Sequence, residues 1–211
     1  MKTEIIEQKF LRLHDLQNKC LIEISLIYEF DFSKNNGISY VGHYATSIVS
    51  RSVSLIKSFE LLFNNKIYST AISLIRLQID NCLRLFAISL CNPEYLLEEV
   101  KKGKSVRSLK DRDGIKMQDV YLINKLGEFM PSFKSLYEET SGFIHFSNEH
   151  LKANNKISQK DGDLYIQTLI GGEFEITETE KIKYLDDMIK ASFNLYRLIY
   201  SYRFDSQNIQ E

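Results

Sequence analysis

Hydrophobic positions recur at helical spacing over most of the chain. From Thr3 to Phe30, Ile6, Phe10, Leu13, Leu16, Cys20, Ile24 and Ile27 follow one another at intervals that place them on one helical stripe. A polar loop is expected over Asp31 to Gly42, and a second helix over His43 to Phe63, with Ile48, Leu55, Phe59 and Leu62 on its apolar face. Asn64-Asn65 leaves only a short break, so the third helix, Ile67 to Cys91, folds back antiparallel on the second. This third helix is apolar on two sides. Ile72, Ile75, Ile79, Cys82, Phe86 and Leu90 form one face, and Leu74, Leu77, Leu85 and Ile88 form another. Such a helix is packed on two flanks, which puts it at the centre of a bundle.

Asn92-Pro93 then opens a short helix, Glu94 to Lys102, followed by a polar stretch from Gly103 to Gln118. Asp119 is placed to cap a helix reaching Met130, and Ser132 starts one that runs to Ala153. The segment LYIQTLIGGEFEIT reads as a β-hairpin turning at Gly171-Gly172, an appendage over about 163–177. The last helix, Thr179 to Phe204, carries Ile182, Leu185, Ile189, Phe193, Tyr196, Ile199 and Tyr200. Both prolines, Pro93 and Pro131, fall between periodic segments, as helix breakers should. The pattern predicts an all-α fold: one domain over residues 1–211, a multi-helix up-down bundle with a small β-hairpin before the C-terminal helix.

Composition narrows the function. The 211 residues are 44% hydrophobic and 26% charged, with 27 Lys+Arg against 28 Asp+Glu, so disordered and globally basic nucleic-acid-binding classes are excluded. Three cysteines without a C-x-x-C pair point to reduced thiols and a cytoplasmic location. The opening MKTEIIEQKF is interrupted by charge too often for a signal peptide, and no apolar run reaches membrane-spanning length, so no membrane partner is expected.

Three places carry candidate chemistry. On the central helix, Arg76, Asp80 and Arg84 stand at i, i+4 and i+8, along one edge that the apolar face overlaps. Buried charges need partners, so these side chains form either an internal ion-pair ladder or the wall of a cleft for an anionic ligand. The second place is the segment Ser132 to Ala153. As one continuous helix it lines up Tyr137, Ser141, His145 and Asn148 on a polar edge, with Gly142 at its middle. A base, two hydroxyls and an amide suit proton transfer near neutral pH, whereas the plain alternative is a histidine held at the core edge. His145 and His150 are too far apart around the helix to chelate, so no metal is expected, and no cofactor is implied. Third is the basic run Lys101 to Lys116, where Lys104, Lys110, Arg112 and Lys116 are candidate phosphate ligands if the run is more than a solvated face.

LIRLQIDNCLRLF (74–86), SLKDRDGIKMQDVYLINKLGE (108–128) and YEETSGFIHFSNEH (137–150) together resemble a family of uncharacterised bacterial all-helical proteins. More loosely, long helices with a late polar-spacer-His pattern resemble the higher eukaryotes and prokaryotes nucleotide-binding (HEPN) superfamily. That resemblance implies a homodimer in which His145 and an arginine cleave RNA without metal, as a toxin or phage-defence effector. Thr140 stands five residues before His145, where the motif has arginine, so Arg76 or Arg84 would have to supply the charge. Two functions follow. One is a non-catalytic or degenerate module of this kind that binds a protein partner or a small anionic or nucleotide ligand. The other is a metal-independent RNase.

Overall fold

The computed structural model describes residues 2–145 and 147–208, the side chains at 2, 3, 35 and 203–208 excepted. Among the described residues there are eight α-helices and one two-stranded hairpin: α1 (Lys2–Asn35), α2 (Tyr40–Asn64), α3 (Tyr68–Leu90), α4 (Pro93–Lys101), α5 (Asp119–Phe129), α6 (Ser132–Ser141), α7 (Asn148–Asn154), β1 (Asn155–Lys160), β2 (Asp163–Thr168) and α8 (Glu178–Asn208). The all-α fold with a β-hairpin before the last helix is therefore as the hydrophobic pattern predicts.

Four long helices close a ring in which α1 touches α2 and α8, and α3 touches the same two from the other side. Their apolar stripes meet inside: Leu13, Ile27, Phe59, Ile75, Ile79, Leu195 and Ile199 are fully or almost fully buried. On the outer flank of α3 lie α5 and α6, which bury Leu122, Leu126 and Phe133. Thus α3 is enclosed on two sides, the arrangement expected of a helix with two apolar faces. A polar thread also crosses the core. Gln78 Nε2 donates to Ser52 Oγ on α2 and Ser192 Oγ on α8, and Asn81 Nδ2 donates to Gln78 Oε1. No helix among the described residues is long and apolar enough to cross a membrane.

Three local expectations change. The loop expected over Asp31 to Gly42 shrinks to residues 36–39, because both flanking helices extend into it. Asp31 becomes a buried tether in α1, accepting from Ser39 N at 2.8 Å and Ser39 Oγ at 2.6 Å. The helix expected from Ser132 to Ala153 breaks. Ser141 ends α6, and Ser147 caps α7 while its Oγ donates back to the Gly142 carbonyl at 2.6 Å. Leu151, in α7, is exposed.

The hairpin lies earlier than its expected span. Its turn is Asp161-Gly162, both with positive φ (54° and 88°), the type I′ geometry that a two-residue hairpin loop favours. Gly171-Gly172 instead belongs to a strap, residues 169–177, that returns to α8. The strap is claimed by α3, whose N-terminus has no side-chain cap of its own. Glu173 accepts from Ser69 N at 2.8 Å and Ser69 Oγ at 2.6 Å, and Glu175 meets Tyr68, Lys66 and Lys181. Those ion pairs and hydrogen bonds, Lys181 foremost, pull the Glu175 carboxyl down to about 2.

Candidate functional site

Asp119 is the hub of the charged cluster. It is the first residue of α5, on the same face as Leu122, Ile123 and Leu126, so the packing of that face against α3 carries its carboxylate inward. Arg76 Nη2 lies 3.2 Å from Asp119 Oδ2, and Arg84 Nη2 lies 2.6 Å from Oδ1. Arg107, from the 3₁₀ turn Val106–Ser108, grips both carboxylate oxygens through Nε and Nη2. Three guanidinium groups thus share one buried carboxylate. Burial alone would push the Asp119 carboxyl up, but the Arg84 hydrogen bond and the charges of Arg84 and Arg107 hold it below the usual aspartate range.

The ladder on α3 is only partly internal. Arg84 Nη2 also donates to Asp80 Oδ1 at 2.7 Å, and Arg51 Nη1 on α2 reaches Asp80 Oδ2 at 3.1 Å and Asn81 Oδ1 at 2.7 Å. Arg76 turns to Asp119 instead, with its guanidinium carbon 4.0 Å from the centre of the Tyr137 ring. Arg84 Nη1 is buried with no hydrogen-bond partner among the described residues. Burial alone would lower the Arg84 pKa, but Asp80 and Asp119 outweigh it and keep the group charged. Around two carboxylates, Asp80 and Asp119, stand four guanidinium groups, so the cluster carries surplus positive charge.

Beside Asp119 a cleft of about 470 Å³ opens to solvent, lined by Ser105, Arg107, Ser108, Lys116, Gln118, Asp119 and Val120. It lies at the N-terminus of α5, where no side chain caps the first turn, so backbone N–H groups and the positive end of the helix dipole add to the field. Asp119, expected to cap that helix, serves the arginines rather than the backbone. The turn that shapes the cleft is closed by a bridge between Lys110 and Lys116 and by Asp111, which accepts from Ile115 N at 2.8 Å and Asp113 N at 3.0 Å.

The other predicted positions disperse. His145 and Asn148 are exposed, one in the link between α6 and α7 and the other at the start of α7, so the polar edge expected of a continuous helix does not form. Ser141 Oγ donates to the Tyr137 carbonyl at 2.6 Å, and only Tyr137 of this group reaches the arginines. No hydrogen bond joins His145 to Arg76 or Arg84 among the described residues. Among the described residues a Cβ on Gly142 would meet Ser147 Oγ at 3.6 Å and Glu149 Cγ at 3.7 Å, both ordinary van der Waals contacts. In the basic run, Lys104 and Lys102 are paired with Glu99, and Arg112 ties the loop to the end of α3 through the Cys91 carbonyl. Lys116 lines the cleft and Lys110 is exposed beside it. No group of three or more His, Cys, Asp or Glu is placed to hold a metal ion among the described residues.

Sequence reasoning missed Arg51, Ser105 and Ser108, saw Arg107 only as one charge of the basic run, and assigned Asp119 to a cap. One signal was present for Asp119: it precedes Leu122, Ile123 and Leu126 at helical spacing, so it belongs to the face that packs inward. Compared with models of protein families, with curated proteins and with solved structures, the chain matches none of them.

Proposed function

We propose that the protein is a non-catalytic helical module that binds a small phosphate-bearing ligand, a nucleotide or pyrophosphate-like anion, in the cleft beside Asp119. The observation that carries this reading is the excess of guanidinium groups around Asp80 and Asp119 directly behind an open cleft bearing Arg107, Lys116, Ser105 and Ser108. Arginine forks and hydroxyls are the groups that hold phosphate oxygens, and the uncapped α5 terminus adds donors. The nuclease alternative needs an imidazole beside an available guanidinium. Arg76 and Arg84 are instead engaged by Asp119, and His145 lies exposed in the α6–α7 link.

Titration calorimetry with ATP and with inorganic pyrophosphate tests the reading. Binding is expected at low ionic strength and should weaken as salt screens the surface charges. Lys116→Ala combined with Arg107→Ala should reduce affinity by about a hundredfold or more, since each charged hydrogen bond contributes roughly 1.5–3 kcal/mol. No heat with either probe at ~1 mM, where even weak complexes form, would overturn the proposal. RNA cleavage without metal that disappears in His145→Ala would replace it with the nuclease.

A further inference from the structure

The hairpin stands away from the core with both faces in solvent. Apart from the half-buried Asn155, every residue of β1 and β2 is exposed, and among the described residues the two strands pair only with each other. Its side chains are nevertheless sorted. The register pairs Ile157 with Ile166 and Gln159 with Leu164, so three aliphatic residues share one face. They are 68%, 61% and 67% exposed. Tyr165 and the lysines lie on the other face. An isolated two-stranded hairpin is marginal in water, and this one gains little from the bundle.

The two edges of the hairpin are not equivalent. β1 carries Lys156 and Lys160, the kind of charge that blocks strand addition. Its root is also flanked by the strap, through Phe174 N to the Ala153 carbonyl at 2.9 Å and Lys156 Nζ 4.3 Å from the Phe174 ring centre. β2 has Asp163 at its turn end as its only charge. The two-residue turn makes Lys160–Asp163 a hydrogen-bonded pair. By alternation, the backbone N–H and C=O groups of Leu164, Ile166 and Thr168 then point away from β1, toward the open side.

We propose that β2 is the interface for a second copy of this chain, the two hairpins joining edge to edge into a four-stranded antiparallel sheet about a two-fold axis at Tyr165. In that register Leu164 of each copy stands opposite Ile166 of the other, and both use outward-facing backbone groups, so hydrogen bonding and side-chain faces agree. An unbroken row, Ile157, Ile166 and the partner's Leu164, then crosses the sheet twice. Asp163 falls opposite Gln167 of the other copy rather than opposite itself, so no like charges meet. Moving the axis to Ile166 would join Ile157 and Ile166 of both copies in one row but leave each Leu164 opposite Thr168, so the axis at Tyr165 is the one that pairs both aliphatic residues of β2 with aliphatic residues across the seam. Pairing through β1 in the neighbouring register about Ser158 would set Lys156 against Lys160.

Sedimentation velocity of the full chain tests this. The wild type should sediment as a dimer at ~50 µM, where mass action favours even modest association, and Ile166→Lys as a monomer with unchanged helix content. Ser158→Lys, which lies off the seam, should remain dimeric. Residues opposite each other at a non-hydrogen-bonded position have Cα atoms about 4.5 Å apart, within disulfide reach. Oxidised Tyr165→Cys should therefore form a covalent dimer, and Ser158→Cys should not. A wild type that is monomeric at this concentration overturns the proposal. So does an Ile166→Lys variant that stays dimeric, because the copies would then meet through another face.

Discussion

At the scale of residues, Asp119 does more for this molecule than its place at a helix start suggests. A carboxylate moved out of water loses several kcal/mol of hydration, and three guanidinium groups replace it. Removing the charge leaves the buried Arg76 without its carboxylate and Arg84 with Asp80 alone. Asp119→Asn should destabilise the protein by about 3–5 kcal/mol in urea unfolding, the usual consequence of breaking a buried pair. The pH dependence has a definite sign. Because the folded-state value is depressed, the stabilisation is fully present above the ordinary 3.8 and is lost as the pH falls through the lower folded value. The acid limb of a stability profile should therefore be shallower in Asp119→Asn than in the wild type.

Among the elements, the α1–α2 corner shows how a small residue fixes two helices. A Cβ on Gly42 would lie 2.3 Å from Asp31 Oδ2 and 3.2 Å from Ile27 Cγ2. Asp31 is buried and held by Ser39, so it has little freedom to move aside. In an exposed helix Gly→Ala gains about 1 kcal/mol from propensity. Here Gly42→Ala should instead cost about 1–3 kcal/mol from overpacking, seen as a lower thermal midpoint. The α6–α7 break and the hairpin position both follow from competing partners, near in the chain for the first and far for the second. Ser147 satisfies both the end of α6 and the start of α7, so one amphipathic period becomes two helices. Glu173 and Glu175 are worth more at the exposed start of α3 than in a strand, which leaves β2 to pair upstream across Asp161-Gly162.

For the molecule as a whole, enclosure of α3 governs both chemistry and reactivity. Cys82 on α3 is fully buried, and Cys20 and Cys91 nearly so. Burial raises the Cys82 thiol well above its usual value, pushes Cys20 up to about 12 and Cys91 to about 11. Thiolate, the reactive form, is then scarce at pH 8. Iodoacetamide at that pH should leave all three cysteines unmodified in the folded protein and label all three in urea, as read by intact mass. Rapid labelling of native Cys20 or Cys82 would show that the ring of long helices opens readily.

The amino-acid sequence alone determines the four long helices, their apolar stripes and the double-sided burial of α3. Each of these follows from residues three and four apart, which local geometry places on one face. It also brings Arg76 and Arg84 into view, because a charge inside an apolar arc must find a partner. Which partner it finds depends on contacts between residues far apart in the chain. Asp119 meets Arg76 across 43 positions, and Glu173 meets Ser69 across 104. No periodicity reports such pairings. They arise only when packing brings the elements together, and they decided the charged cluster behind the cleft and the place of the strap at the start of α3.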